Sequence, residues 1–129
     1  MKKLLCVDDN PEMLSFLIEF LGSEFVIVGT LTSGSAVVAA VASLNPDIVL
    51  MDIDLGDTNG FDVAEQLRSA GSVAKIVFLS VYTSRDFVEA AEALGAAAYL
   101  SKTQIATDLV KTLHGVMQAP ENGESRERG

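Results

Sequence analysis

Short apolar runs alternate with segments of helical periodicity along most of the chain. The runs are four to five residues long, and after each one apolar residues recur every three or four positions. This alternation predicts five βα units around a parallel sheet that is buried on both faces. The predicted strands are Leu4–Val7, Phe25–Val28, Ile48–Met51, Ile76–Leu79 and Ala97–Leu100.

Capping residues indicate where the predicted helices begin. Asn10 followed by Pro11 suits the start of helix 1, Ser33 suits helix 2, and Thr83-Ser84-Arg85-Asp86 resembles a capping box before helix 4. Helix 3 is predicted from about Phe61 to Ala70. The residues predicted to face the core are Leu14, Leu17, Ile18 and Leu21, then Val37, Val38, Val41 and Leu44, then Phe61, Ala64 and Leu67, then Phe87, Ala91 and Leu94, and finally Ile105, Leu109, Leu113 and Val116.

The segment from Gln118 to Gly129 lacks this periodicity and contains Pro120 and two glycines. It is predicted to be a flexible tail or the start of an interdomain linker, which leaves residues 1–117 as the folded domain. The total of 129 residues leaves room for one domain of ordinary size.

Charge and hydropathy exclude several classes of partner. Acidic residues outnumber basic ones by 18 to 9, and the net charge of −9 opposes direct binding to nucleic acid. No uncharged apolar run approaches the roughly 20 residues of a membrane-spanning helix, so we expect a cytoplasmic protein with no membrane contact. Cys6 is the single cysteine and lies in an apolar run, which favours a small buried side chain over disulfide or zinc chemistry.

Polar side chains follow the carboxyl ends of four predicted strands. Asp8 and Asp9 come after strand 1, Asp52 after strand 3, Ser80 after strand 4 and Lys102 after strand 5. In an open parallel sheet these ends share one edge, where the ligand crevice forms. We therefore expect residues more than ninety positions apart to meet in one site.

The residue types at this edge suit phosphoryl chemistry. Three neighbouring carboxylates repel one another and either hold a proton or bind a cation, for which Mg²⁺ is the natural candidate. Lys102 adds a compact positive charge, and the Ser80 hydroxyl can donate to a phosphoryl oxygen. An aspartate carboxylate can itself be the nucleophile when charge on the transferring group is offset.

Several separated motifs resemble the receiver domain of two-component response regulators, and together they cover residues 2 to about 117. They are Val7-Asp8-Asp9-Asn10, Leu50-Met51-Asp52-Ile53-Asp54-Leu55 with Asn59-Gly60, Leu79-Ser80, and Gly95-Ala96-Ala97-Ala98-Tyr99-Leu100-Ser101-Lys102. The resemblance implies a flavodoxin-like doubly wound α/β fold with five parallel strands in the order 2-1-3-4-5 and five helices.

The resemblance also implies roles for these residues. Asp52 would accept a phosphoryl group from a histidine kinase or a histidine phosphotransfer protein. Mg²⁺ would be bound by Asp8, Asp9, Asp52 and the main-chain carbonyl of Asp54. Lys102 and Ser80 would contact the phosphoryl group, and Ser80 with Tyr99 would switch the face formed by helix 4, strand 5 and helix 5. Such a domain is not an enzyme on other substrates, since it catalyses only its own phosphorylation and dephosphorylation.

The resemblance further implies that two positions, Asp54 and Tyr82, tune the rates of phosphorylation and hydrolysis. Gly56 and Thr103 stand where many members of the family carry proline, so we expect a flexible loop at Gly56 and a trans Lys102–Thr103 peptide. Dimerisation on phosphorylation and a DNA-binding output domain beyond residue 129 stay open.

Two other functions compete with the receiver hypothesis. Asp52-Ile53-Asp54 also resembles the Asp-x-Asp loop of haloacid-dehalogenase-type phosphatases, in which the first aspartate is the nucleophile and the second an acid or base. That motif normally follows the first strand, whereas here it follows the third. A catalytically silent adaptor or a flavodoxin-like cofactor binder would share the fold, so the fold alone does not separate them.

Overall fold

The computed structural model describes residues 1–118, in which five parallel strands form one sheet in the order β2-β1-β3-β4-β5. The strands are β1 (Lys3–Val7), β2 (Val26–Leu31), β3 (Ile48–Met51), β4 (Lys75–Ser80) and β5 (Ala98–Ser101). The helices are α1 (Pro11–Leu21), α2 (Val37–Leu44), α3 (Gly60–Ser69), α4 (Arg85–Ala93) and α5 (Val110–Gln118). This is the predicted flavodoxin-like topology, and every strand end that precedes a helix lies at the same edge.

Helices cover both faces of the sheet, and alternate strand residues enter two separate cores. Leu4 and Cys6 of β1 pack in a core with α1 and α5, whereas Leu5 and Val7 pack in a second core with α2, α3 and α4. All four residues of β3 are buried, which explains why this strand forms a continuous apolar run in the sequence.

Three of the helix starts follow from local capping. The Asn10 side chain accepts a hydrogen bond from the Glu12 N–H, as predicted, and Asn59 caps α3 in the same way through the Asp62 N–H. Ser33 caps a short 3₁₀ turn, Gly34–Ala36, that leads into α2.

The structure corrects several predicted boundaries. β2 begins one residue after Phe25 and continues to Leu31, because Phe25 is buried in the core beside α1 instead of pairing in the sheet. The predicted capping box before α4 is wrong, since Ser84 occupies the cap position and its side chain makes no capping hydrogen bond. Helix 5 begins irregularly, with a 3₁₀ turn at Lys102–Gln104 and a π-helical segment at Ile105–Leu109.

Two residues predicted to face the core are exposed. Ile18 of α1 is 45% exposed and Leu44 at the end of α2 is 37% exposed, because each lies at the border of its helix's buried stripe. The whole stripe predicted for helix 5 is buried. No cis peptide occurs between residues 1 and 118, so the Lys102–Thr103 bond is trans, as expected.

Most of the predicted tail, residues 119–129, lies outside the described part of the chain, and Gln118 is the last residue of α5. Within residues 1–118, every helix is too short or too polar to cross a lipid bilayer.

Cys6 is predicted to be chemically inert in the native protein. Its side chain is fully buried, and burial raises the pKa of the thiol to about 12, so almost no thiolate exists at pH 8. We expect a thiol reagent to label Cys6 in denaturant but not in native buffer over the same time. Rapid native labelling, measured by mass spectrometry, would show that β1 opens locally.

Candidate functional site

The predicted site residues meet at the carboxyl edge of the sheet. Asp8 follows β1, Asp52 follows β3, Ser80 ends β4 and Lys102 follows β5. Three of these polar side chains are buried, with exposed fractions of 3% for Asp8, 7% for Asp52 and 0% for Ser80. Polar groups are seldom buried unless they are paired, so this edge is built around a specific set of interactions.

Lys102 joins the two buried carboxylates. Its Nζ lies 2.9 Å from Asp52 Oδ2 and 2.8 Å from Asp8 Oδ2, both within hydrogen-bond distance. β5 places Lys102 here because its register with β4 aligns Ser80 with Ser101, the residue just before the lysine. One ammonium group therefore compensates two carboxylates contributed by distant parts of the sequence.

Main-chain groups fix the second oxygen of each carboxylate. Asp52 Oδ1 accepts from the Ile53 N–H at 2.7 Å, and Asp8 Oδ1 accepts from the Asn10 N–H at 2.9 Å. The start of α3 also abuts this turn, because a Cβ on Gly60 would lie 2.4 Å from the carbonyl oxygen of Asp52. Only glycine fits this close approach between two segments of main chain.

The pKa values of Asp52 and Lys102 reflect their burial and their contact with each other. Burial raises the pKa of Asp52 above its ordinary value, Lys102 opposes this change, and the neighbouring Asp8 charge adds to it. Burial lowers the pKa of Lys102, but the hydrogen bonds to Asp8 and Asp52 outweigh it, so the net change is upward. Lys102 is therefore the main group that opposes the rise in the pKa of Asp52.

Asp8, Asp9 and Asp52 form an acidic cluster that could hold a metal ion. One carboxylate oxygen from each lies within 4.8 Å of the others. Asp9 is exposed while its two partners are buried, so the cluster opens to solvent on one side. A set of carboxylate oxygens suits a hard divalent cation, and the donor set therefore fits the predicted ion class.

Asp54 lies in the loop after β3, outside this cluster of side chains. It is exposed, its carboxylate accepts a hydrogen bond of 3.2 Å from the Gly56 N–H, and its main chain forms an isolated antiparallel bridge with Asn59. Gly56 adopts a left-handed conformation with φ of 83°. A Cβ on Gly56 would lie 3.7 Å from Asp9 Oδ2, so this loop borders the acidic cluster.

Ser80, Tyr82 and Tyr99 are linked through the main chain that follows β4. Ser80 Oγ accepts a hydrogen bond of 3.0 Å from the Tyr82 N–H, and the Tyr99 hydroxyl donates to the Tyr82 carbonyl. Burial raises the pKa of Tyr99, a hydrogen bond with the Ser80 side chain opposes this, and the Asp52 charge adds to it. The two predicted switch residues, Ser80 and Tyr99, are thus connected through the main chain of Tyr82.

Aromatic rings extend from Tyr99 toward α3 and α4, which the sequence did not predict. Phe78 contacts Tyr99 and Phe61, with ring centroids 6.1 and 5.3 Å apart. Phe87 of α4 contacts Phe61 at 6.1 Å and stacks on Tyr82 at 5.1 Å. Apolar periodicity indicated that some of these residues face the core, but no sequence signal indicates which rings touch.

Comparison with protein families decides between the receiver and the phosphatase hypotheses for this edge. The family model of the response regulator receiver domain matches residues 4–114, nearly all of the described chain. The chain belongs to this family. The receiver domain is a module of two-component response regulators, and the phosphatase alternative has no support.

Individual relatives agree with this assignment. The receiver domain is 29% identical to the nitrate/nitrite response regulator protein NarL of Escherichia coli, over 86% of this chain and 52% of NarL. It is 35% identical to the photosynthetic apparatus regulatory protein RegA of Rhodobacter capsulatus, over 98% of this chain and 71% of RegA. The crystal structure of the BeF3-activated N-terminal receiver domain of Klebsiella pneumoniae RstA superimposes with a TM-score of 0.84 and 26% identity, over 91% of this chain and 99% of that one.

The receiver domain spans about half the length of many curated relatives that it matches, with shares from 33% to 71%.

Proposed function

We propose that this receiver domain accepts a phosphoryl group on Asp52 and that this changes the surface formed by α4, β5 and α5. The observation that carries the proposal is the contact of the Lys102 ammonium with both Asp52 and Asp8 at a site open to solvent through Asp9. This arrangement presents one carboxylate beside a fixed cation and an acidic cluster, which are the components that phosphoryl transfer to an aspartate requires.

In the transfer step, an Asp52 carboxylate oxygen forms a bond to phosphorus. The bond from phosphorus to the donor atom breaks, and its electron pair leaves with the donor, which is an imidazole nitrogen in a phosphohistidine or an acetate oxygen in acetyl phosphate. Lys102 is already within 2.9 Å of the Asp52 carboxylate and would follow the negative charge onto the phosphoryl oxygens. The product is an acyl phosphate on Asp52.

The acidic cluster would hold Mg²⁺ through Asp8, Asp9 and Asp52, together with the Asp54 main-chain carbonyl. Bound Mg²⁺ supplies positive charge that offsets the charge of the transferring group. Lys102 contacts both Asp8 and Asp52 and balances their charge, and Asp9 stays exposed to solvent.

Ser80 and Tyr99 would respond to the new charge. The Ser80 hydroxyl now accepts from the Tyr82 N–H, and turning it toward a phosphoryl oxygen gives up that bond. The Tyr99 hydroxyl donates to the carbonyl of Tyr82, so a movement of Tyr82 would reach β5 directly. This is a local charge change that biases a packed element between two arrangements.

The test is intact-mass measurement after incubation with acetyl phosphate and MgCl₂, with and without EDTA. The proposal expects one added phosphoryl group, a requirement for Mg²⁺, and peptide mapping of the label to Asp52. A wild-type protein that gains no mass would favour the silent adaptor instead.

Asp54→Asn is expected to alter phosphoryl chemistry more than folding. The exposed Asp54 carboxylate repels a dianionic phosphoryl group by about 1 kcal/mol, so its removal should slow dephosphorylation roughly fivefold. The free energy of unfolding should change by less than about 0.5 kcal/mol, as is usual for surface substitutions. Phosphoryl decay followed by intact mass, beside urea unfolding, measures both quantities.

Glu19→Gln provides the matched control for Asp54→Asn, because Glu19 is an exposed carboxylate on α1. The phosphoryl group on the control variant should be lost at the wild-type rate. Equal phosphoryl decay in wild type and Asp54→Asn, with a changed unfolding midpoint, would reject the rate-tuning role of Asp54.

Tyr82 is proposed as the second rate-tuning position. Its ring stacks on Phe87, and it would limit the access of water to the phosphoryl group.

We propose a histidine kinase or a histidine phosphotransfer protein in the cytoplasm as the partner that donates the phosphoryl group. We infer a single phosphorylation event per molecule, with no turnover of separate substrates. A DNA-binding output domain beyond residue 129 and a homodimer formed on phosphorylation are compatible with this role, whereas the net charge of −9 opposes direct nucleic-acid binding.

A further inference from the structure

Asp57 connects two loops at the carboxyl edge of the sheet. Its carboxylate accepts hydrogen bonds from Ser33 Oγ at 2.8 Å, from the Gly34 N–H at 3.0 Å and from the Ser35 N–H at 3.1 Å. All three donors belong to the segment that enters α2, whereas Asp57 belongs to the loop between β3 and α3. Hydrogen bonds to an ionised carboxylate are among the stronger ones in proteins, so this is a firm connection.

The same two segments are packed in direct contact. A Cβ on Gly34 would clash with Thr58 Cγ2 and lie 3.0 Å from Leu55 Cδ1, so any larger residue here would require these side chains to shift. Leu55 is 2% exposed and belongs to the core beneath α2 and α3. The loop after β3 is therefore held from two sides, by Leu55 below and by Asp57 at its rim.

This connection lies next to the acidic cluster. Gly56 immediately precedes Asp57 and borders Asp9 Oδ2, and the Asp54 carbonyl lies three residues before Asp57 in the same loop. The loop also has two internal main-chain hydrogen bonds, from the Leu55 N–H to the Thr58 carbonyl and from the Asp57 N–H to the Leu55 carbonyl. They shape the turn but do not fix its position relative to α2.

We propose that Asp57 is a positioning residue, which holds the loop of residues 54–58 against the start of α2 so that the Asp54 carbonyl stays in place for the metal. The inference rests on the proposed function and adds a residue that is not among the proposed metal ligands or phosphoryl contacts. It assigns to the segment 33–35 an indirect part in metal binding.

The charge of Asp57 keeps this connection constant near neutral pH. The hydrogen bonds from Ser33, Gly34 and Ser35 lower the pKa of Asp57 to about 2, so the carboxylate is ionised throughout the physiological range. Asp57 therefore keeps these hydrogen bonds throughout this pH range. The loop is already ordered when Asp52 becomes phosphorylated.

The inference is tested with Asp57→Ala and Asp57→Asn in the full chain, and with Glu19→Gln as the charge-matched control. Magnesium affinity is measured by calorimetric titration with MgCl₂, and phosphorylation by acetyl phosphate is followed across a range of MgCl₂ concentrations. Asp57→Ala is expected to raise the Mg²⁺ dissociation constant about tenfold, the low end for groups that orient metal ligands. Its phosphorylation rate should fall at low Mg²⁺ and recover as Mg²⁺ is raised.

The conservative variant separates positioning from simple stabilisation. Asp57→Asn keeps one oxygen that can accept from the main chain, so its Mg²⁺ affinity should lie between those of wild type and Asp57→Ala. If Asp57→Ala lowers the melting temperature in EDTA but leaves the Mg²⁺ dissociation constant at the wild-type value, the positioning role is overturned while the proposed function stands. A wild type that binds no Mg²⁺ would overturn both.

Discussion

Replacement of Asp52 by asparagine is expected to leave a folded protein that no longer gains a phosphoryl group from acetyl phosphate. An amide is not a nucleophile, so the labelling rate should fall by at least about a hundredfold. The variant keeps an oxygen that can accept from the Ile53 N–H, and Lys102 keeps its contact with Asp8. The fold should therefore survive, as circular dichroism and a melting curve would show.

Intact-mass measurement under identical conditions decides the outcome for Asp52→Asn. The Glu19→Gln control should gain one phosphoryl group at the wild-type rate. If Asp52→Asn is labelled equally fast, another acid of the cluster is the acceptor, and peptide mapping would identify it.

Replacement of Lys102 by methionine is expected to have the largest effect on stability. Lys102 compensates Asp8 and Asp52, whose side chains are 4% and 9% exposed, so the variant leaves two buried carboxylates without a cation. Breaking a buried pair in this way costs about 3 kcal/mol of the free energy of unfolding at pH 7. Phosphorylation should also be lost, because no ammonium remains to meet the phosphoryl oxygens.

The loss of folding stability in Lys102→Met should depend on pH in a defined direction. Burial already raises the pKa of Asp52, and removing Lys102 removes the group that opposes this increase. An acid whose pKa is raised by folding favours the folded state when protonated, and this contribution is lost as the pH rises through the folded pKa. The difference in the free energy of unfolding between wild type and variant should therefore be largest near neutral pH. It should become smaller as the pH falls toward about 4.

Urea unfolding at several pH values measures this dependence, with Lys111→Met as the control. Lys111 lies 3.6 Å from Asp108 with its side chain 75% exposed, and an exposed pair of this kind contributes little to stability. If both variants lose the same stability at every pH, Lys102 is not the group that balances the buried carboxylates.

How closely the sequence predicted each strand depended on how fully that strand is buried. β3 was predicted to the residue because all four of its side chains are buried and none interrupts the apolar run. β2 was misplaced because it is an edge strand in which Val26 is 41% exposed and Gly29 and Thr30 obscure its end. Tertiary packing, which takes Phe25 into the helical core, outweighed its local preference for a strand.

The site was largely predictable because chain topology alone brings strand ends together. Asp8, Asp52 and Lys102 lie at one edge in any parallel sheet with this order of elements, whatever the side-chain details. The contact of Asp57 with Ser33 was not predictable, because two loops 24 residues apart must approach before the bond exists. The same holds for the rings around Phe87, whose neighbours depend on helix placement.

The link between Tyr99 and Tyr82 gives the domain an intrinsic optical reporter. The chain contains no tryptophan and two tyrosines, and these two are joined by the hydrogen bond from the Tyr99 hydroxyl to the Tyr82 carbonyl. All tyrosine emission therefore originates from two rings, that of Tyr99, whose hydroxyl makes this contact, and that of Tyr82, which stacks on Phe87 of α4. An unlabelled sample in a fluorimeter thus reports on this part of the surface, without the background from other fluorophores that most proteins carry.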